Sequence, residues 1–361
     1  MDRRQFLRSS VALSALAVVS SRAPLARAAG ESHAWRTFEV TTHVEILTPE
    51  GITRVWVPAP LADDTPYQKL LGNTWNAEGG QVALQTDPKY RAGILAATWP
   101  AGQKPLLTLT SRFATRDIAV DFAAPGRVPA AKPAELQKYL EPTELLPTDG
   151  IVKQTADEIV RGARSDLEKA CALYEWIVDN TFRDPKTRGC GVGDIKFMLE
   201  SKNLSGKCAD LNALFVGLAR ATGIPARDVY GIRVADSALG YKSLGKSGDI
   251  TKAQHCRAEV HLAGYGWVPV DPADVRKVVL EEGGGKPLQD PMVTAARRRL
   301  FGAWEMNWLA YNTAHDLLLP GATRGKIPFF MYPQGETAEG RLDSLDPEHF
   351  TYRIAARELA A

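Results

Sequence analysis

Between residues 204 and 233 the chain reads LSGKCADLNALFVGLARATGIPARDVYGIR, and its apolar positions change period partway along. Leu211, Leu214, Phe215 and Leu218 recur at helical spacing, which predicts a helix lying in a core. Gly223 suits its C-terminal cap, Pro225 prevents its continuation, and Ile224-Pro225-Ala226-Arg227 opens a strand. Cys208 stands at the N-terminal end of this helix, where unpaired backbone N–H groups and the helix dipole favour negative charge. A thiol held there ionises more readily, and the thiolate is its reactive form. On this stretch alone a packed structural cysteine is an equal reading.

Upstream, apolar and polar residues alternate in short runs. Residues 35–46, 54–58, 81–85, 93–98 and 106–113 read as strands separated by Gly and Pro turns. Residues 33–123 are therefore expected to form an antiparallel β-sandwich. His33 and His43 stand alone there and read as structural or solvated. Residues 124–147, punctuated by Pro125, Pro129, Pro133 and Pro142, read as a semi-rigid linker, with a short helix around 134–139. Helical spacing returns over 151–163, over 166–181 behind a Ser165/Glu168 capping box, and over 194–199. Residues 251–262 and 267–272 flank Ala263-Gly264-Tyr265-Gly266 and read as a hairpin. In the tail, 281–361, residues 294–312 carry Trp304, Trp308 and Tyr311 at helical spacing, while 329–333 and 350–354 read as strands. That tail is expected to be an extension packing on the core.

The chain has 361 residues, with 45% hydrophobic and 24% charged residues, the profile of a globular protein of two or three domains. Its net charge of +2 comes from the first 28 residues, which hold five arginines and one aspartate. Without them 39 basic and 41 acidic residues leave a net of −2, so no general basic field points to nucleic acid. Arg3-Arg4-Gln5-Phe6-Leu7-Arg8, an apolar run over 11–19 and Ala26-Arg27-Ala28 form a twin-arginine signal pattern with a cleavage site. The run is too short for a stable membrane anchor. The expectation is a periplasmic protein exported by the twin-arginine route, with no anchor after cleavage.

His255 opens one strand of the predicted hairpin and Asp271 closes the next, so both lie at the same end. A thiolate, an imidazole and a carboxylate are the set that nucleophilic acyl transfer needs. The run GKCADLNALFVGLARATGIPARDVYG followed by HCRAEVHLAGYGWVPVDP resembles the bacterial exported transglutaminase-like superfamily, whose core is related to papain. The motif-level resemblance covers roughly residues 165–275. It implies an α+β protein: the β-sandwich, then a papain/transglutaminase-like catalytic core over 148–280 with a nucleophile helix packed on an antiparallel sheet. It implies Cys208 as nucleophile, His255 as base and acid, and Asp271 as the residue that orients the imidazole. Members commonly carry an aromatic residue two places after the histidine; here Cys256 and Arg257 follow His255, so the details of a substrate channel do not carry over.

The residue count of the hairpin turn tests this set. A two-residue turn would point Asp271 and His255 to opposite sides and favour Asp274. One extra residue or a bulge would set Arg257 opposite Asp271, with His255 its diagonal neighbour at about 7–8 Å between α-carbons. Three further side groups remain open. His255, Glu259 and His261 share a polar face and are a conceivable zinc set, although no His-Glu-x-x-His helix accompanies them. Cys171, Cys190, Cys208 and Cys256 permit disulfides in an oxidising compartment, Cys190 with Cys256 being the first pair to examine. The Cys208 N–H is the first candidate oxyanion donor, with Trp176, Asn203 and Lys207 as candidates for a second. No cofactor is implied and no acidic calcium loop is present. The functional expectation is a thiol-dependent enzyme acting on peptide or carboxamide bonds of a peptide or protein substrate, by hydrolysis. The alternatives are transfer to an amine, as in a protein-glutamine transglutaminase, and a non-catalytic cell-envelope binding protein.

Overall fold

The computed structural model describes residues 34–126, 128 and 131–360. The signal pattern and His33 lie outside the described residues. The chain is α+β, and its elements group around the helix Cys208–Ala221. Every residue of that helix is buried, not only the predicted stripe. A helix that is apolar around most of its circumference is covered on all sides. One side packs on an antiparallel sheet in the order Gly266–Val270, Gln254–Leu262, Ala226–Arg233, Trp308–Asn312. Leu214 and Leu218 share a core cluster with Ala258 and Val260 of that sheet. Helices Gly150–Ile159, Asp166–Asn180 and Ile195–Glu200 cover the remaining sides through Val152, Leu173, Ile177 and Ile195. Ser165 caps the second of these, accepting from the Glu168 N–H at 3.2 Å, as the capping-box pattern requires.

The β-rich part consists of two five-stranded antiparallel sheets. The first orders Gly248–Asp249, Phe350–Leu359, Arg36–Ile46, Leu106–Thr115 and Gln68–Asn76; the second orders Arg341–Leu342, Gln334–Glu336, Thr53–Pro58, Gly93–Trp99 and Gln81–Thr86. Val44, Ile46, Val55, Val57, Leu95, Trp99, Leu107 and Leu109 meet between them. The strand Gln68–Asn76 had no apolar alternation to reveal it, because as an edge strand it is largely exposed.

The tail departs from its expected role in two ways. Residues 281–361 do not form one extension on the core. Trp308–Asn312 becomes the fourth strand of the core sheet, while Phe350–Leu359 pairs with Arg36–Ile46 from Thr37↔Leu359 to Ile46↔Phe350 and so completes the sandwich. The helical spacing over 294–312 holds only for Pro291–Arg299; Trp304 and Trp308 lie on strands. Their fully buried rings satisfy either period, so the spacing of large residues alone could not choose. At Gly231 the two core strands come so close that a Cβ would lie 2.1 Å from the Leu309 carbonyl oxygen.

A candidate active site at the start of the buried helix

The hairpin turn has three residues, 263–265, because Leu262 pairs with Gly266 and Ala258 with Val270. This register continues to place Arg257 opposite Asp271 and His255 one step beyond, on the same face. Asp271 leaves its strand to become the N-cap of helix Pro272–Glu281, with Pro272 in the first turn. His255 Nε2 and Asp271 Oδ2 are 2.7 Å apart. Asp271 Oδ1 accepts the Asp274 N–H at 3.0 Å and the Asn212 amide at 3.3 Å. Asp274, the other candidate, lies 3.4 Å from the same His255 nitrogen, but its Oδ1 is held by Arg233 at 2.6 Å. All of these groups are buried.

With Nε2 given to Asp271, Nδ1 is the imidazole nitrogen left for the thiol, and Cys208 and His255 interact. Burial disfavours the imidazolium, but the charges of Asp274 and Asp271 outweigh it and push His255 up to about 9. The Cys208 thiol is held well below its ordinary value, by hydrogen bonds from Cys190 and Cys256 first and from His255 after them. The neighbouring thiols are driven the other way: Cys190 is raised by its hydrogen bond to Cys208, and Cys256 by burial. These opposite shifts lower the Cys208 thiol and raise the His255 imidazole, the directions that favour a thiolate beside an imidazolium. Cys190 Sγ is also 3.3 Å from the Gln254 carbonyl, so its single proton has two competing acceptors. All four cysteines are free, and the pair expected as a possible disulfide, Cys190 and Cys256, instead shares one buried cluster with Cys208.

The loop carrying Cys190 is fixed by Asp210, in the first turn of the helix. Asp210 Oδ1 accepts the Val192 and Gly193 N–H groups, each at 2.9 Å, and Oδ2 accepts that of Lys207 at 2.9 Å. Gly191 has φ +98°, and a Cβ there would lie 1.9 Å from Asp210 Oδ2. That position therefore admits only glycine, for backbone and for space. The Cys190 carbonyl in turn accepts the Ala209 N–H at 2.9 Å. The Cys208 N–H belongs to the helix's open first turn and faces no intrahelical acceptor. Of the upstream oxyanion candidates, Lys207 lines the cleft at Cys208, whereas Trp176 packs on the helical core and Asn203 serves the Ser205 turn.

Three contributors were not identified from the sequence. Asn212 holds the Cys256 carbonyl at 2.9 Å, Asp271, and the Ala273 N–H at 3.3 Å, tying helix, strand and N-cap together. It stands four residues after Cys208, the spacing that puts both on one helix face, so the signal was present. Arg233 neutralises Asp274, and Trp308 Nε1 donates to the His255 carbonyl at 2.9 Å; both depend on long-range packing. The conceivable zinc set dissolves: Glu259 pairs with Arg227, and His261 packs edge-on against Trp267. His255, Asp271 and Asp274 are close enough to surround an ion. However, Arg233 already occupies Asp274 and Arg257 approaches Asp271 at 3.6 Å, so two guanidiniums hold the place of a cation. These residues do not fit a metal.

Residues 153–272 match the family model of the transglutaminase-like superfamily. An uncharacterised protein of Haemophilus influenzae is 36% identical over 372 residues, covering 96% of this chain and 99% of that one. The chain belongs to the transglutaminase-like superfamily. The crystal structure of a candidate cysteine protease from Cytophaga hutchinsonii shares the fold, with TM-score 0.51 and 15% identity over 90% of this chain and 98% of that one. The periplasmic domain of TgpA from Pseudomonas aeruginosa is more distant, with TM-score 0.36 and 18% identity over 66% of this chain and 92% of that domain. Membership places the chain in a superfamily of thiol-dependent enzymes. No helix among the described residues is long and apolar enough to cross a membrane.

Proposed function

We propose that the protein is an exported cysteine amidase or peptidase in which Cys208 is the nucleophile, His255 the acid and base, and Asp271 the orienting carboxylate. The observation that carries this reading is the pairing of a helix-start thiol with the His255–Asp271 pair at one cleft of about 870 Å³. The Cys208 thiolate attacks the carbonyl carbon of an amide. The oxyanion that forms is met by the Cys208 N–H. As the C–N bond breaks, His255 gives its Nδ1 proton to the leaving amine, and a thioester remains. The now neutral His255 takes a proton from water, whose oxygen attacks the thioester, and the thiolate leaves with the acid as product. Water is favoured as acceptor because the cleft is open to solvent. The twin-arginine pattern supports export, and a peptide or protein chain is the substrate class that this chemistry suits.

The test is the rate of Cys208 alkylation by iodoacetamide against pH, in wild type and His255→Ala. The expected result is a thiolate already reactive near pH 6 in wild type and an ordinary thiol profile in the variant. A slow wild-type reaction with an ordinary profile would reduce the protein to a non-catalytic binder. Formation of glutamine–amine adducts faster than free acid would make it a transglutaminase.

A further inference from the structure

The cleft at Cys208 is far more basic than the chain around it. Arg233 is spent on Asp274, and Arg183 and Lys277 share Glu281. Lys207, Lys246, Lys252 and Arg353 also line the cleft, and none of the four has an ion-pair partner among the described residues. Asp249 is the only carboxylate among the described residues that line it. Four free cations against one carboxylate leave a local charge near +3, in a chain whose residues beyond 28 sum to −2. Lys246, Lys252 and Arg353 are exposed and bear no part of the core, so folding does not call for them there. They come from separate segments: the loop before the His255 strand supplies the lysines, and the C-terminal strand of the sandwich supplies Arg353. Beside this arm, and sharing Cys190, Lys207, Lys252 and Gln254 among others with it, opens a mainly apolar arm of about 520 Å³ walled by Tyr332, Leu345, Pro347 and Phe350, with Lys252 at the junction.

We propose that the acyl donor is an acidic peptide. Its carboxylates lie in the basic arm against Lys246, Lys252 and Arg353, and an apolar side chain occupies the other arm, with the reacting carbonyl between them at Cys208. The proposal rests on the acyl-transfer reading of the same cleft. Clefts lined by one sign of charge concentrate ligands of the opposite sign and lose that advantage in salt.

Two measurements on the full chain test it. The first compares alkylation of Cys208 by iodoacetate and by iodoacetamide, read by mass spectrometry of the Cys208 peptide with Cys208→Ser as control. The reagents differ in a carboxylate against a neutral amide. At low salt the iodoacetate-to-iodoacetamide rate ratio should exceed that of free cysteine by about five- to tenfold, the scale of three weakly screened charges at cleft distances. It should fall toward the free-cysteine value in 0.5 M salt, and to it or below in Lys246→Glu/Lys252→Glu/Arg353→Glu. A ratio equal to that of free cysteine, unmoved by salt or charge reversal, would overturn the proposal. Because this readout is a ratio, it stays interpretable if both rates are slow, the outcome that would sink the nucleophile reading instead. The second compares kcat/KM for glutamine-containing peptides flanked by Asp and Glu with their Asn and Gln counterparts. The acidic set should be favoured at least about tenfold and lose that lead in the triple variant; equal or inverted preference in wild type would overturn the proposal.

Discussion

Asp271→Asn separates the two carboxylates that approach His255. In the native site Asp271 Oδ1 accepts two N–H groups, from Asp274 at 3.0 Å and Asn212 at 3.3 Å. An asparagine must keep its oxygen there, which turns its NH2 toward His255 Nε2. A donor at Nε2 forces the imidazole proton onto Nδ1, the nitrogen that has to serve Cys208. The imidazolium is also weakened. Raising His255 from its ordinary 6.5 to about 9 corresponds to about 3 kcal/mol of net preference for the charged form, to which Asp274 contributes through its charge and Asp271 through its charge and its hydrogen bond, against burial and Arg233. Removing the Asp271 contribution should move the alkaline limb of kcat/KM down from about 9 by roughly one pH unit or more, since general-acid activity is lost as the imidazolium deprotonates. The tautomer error should cost activity on the order of 10⁴-fold, the scale known for the corresponding substitution in a serine-protease triad. Folding should suffer little, because shape and two of the hydrogen bonds are kept. Asp274→Asn should behave oppositely. It leaves buried Arg233 uncompensated and should cost about 3–5 kcal/mol of stability. The assay is a pH profile of peptide amide hydrolysis together with urea unfolding of both variants. If Asp271→Asn keeps activity within tenfold while a stably folded Asp274→Asn loses it, Asp274 is the orienting carboxylate and the assignment is wrong.

Asn212→Ala strips acceptors and donors from the Cys256 carbonyl, Asp271 and the Ala273 N–H, and should cost about 1–3 kcal/mol by thermal or denaturant unfolding. Gly191→Ala drives a Cβ into Asp210 at a left-handed φ, so it should lower stability by several kcal/mol and raise the pH at which Cys208 becomes reactive to iodoacetamide, as the Cys190 loop is displaced. Exchange of Arg3 and Arg4 for lysine should leave unprocessed precursor in the cytoplasm, scored by cell fractionation; unchanged export would remove the twin-arginine route.

Much of the site was written in local order. A small residue, Lys207, Cys208 and an apolar helix could be read as a nucleophile at a helix start, and a histidine and an aspartate bracketing one hairpin could be read as its partners. These signals survive without tertiary structure because helix period, capping and strand alternation depend on near neighbours. Even the choice between Asp271 and Asp274 was reduced to the residue count of one turn, although a count could not be assigned from Ala263-Gly264-Tyr265-Gly266 alone.

The tertiary structure decided what near neighbours cannot. Cys190 and Cys256 lie 18 residues before and 48 after Cys208, yet both share one buried cluster with it and help hold its thiol below the ordinary value. Nothing in their flanking residues announces it, since burial and contact with the thiolate come from the packing of a loop and a strand on one helix. Trp308 reaches the His255 backbone only because the tail supplies the fourth core strand. The last strand returns to pair with the first, and so carries Arg353 to the cleft. The helical spacing of Trp304, Trp308 and Tyr311 misled because buried aromatics pack equally well at either period. The sequence by itself determined which groups are candidates for the chemistry and how each is presented locally. Their mutual distances, the protonation these distances impose and the charge of the cleft were decided by long-range packing, because field and burial fall off in space and not along the chain.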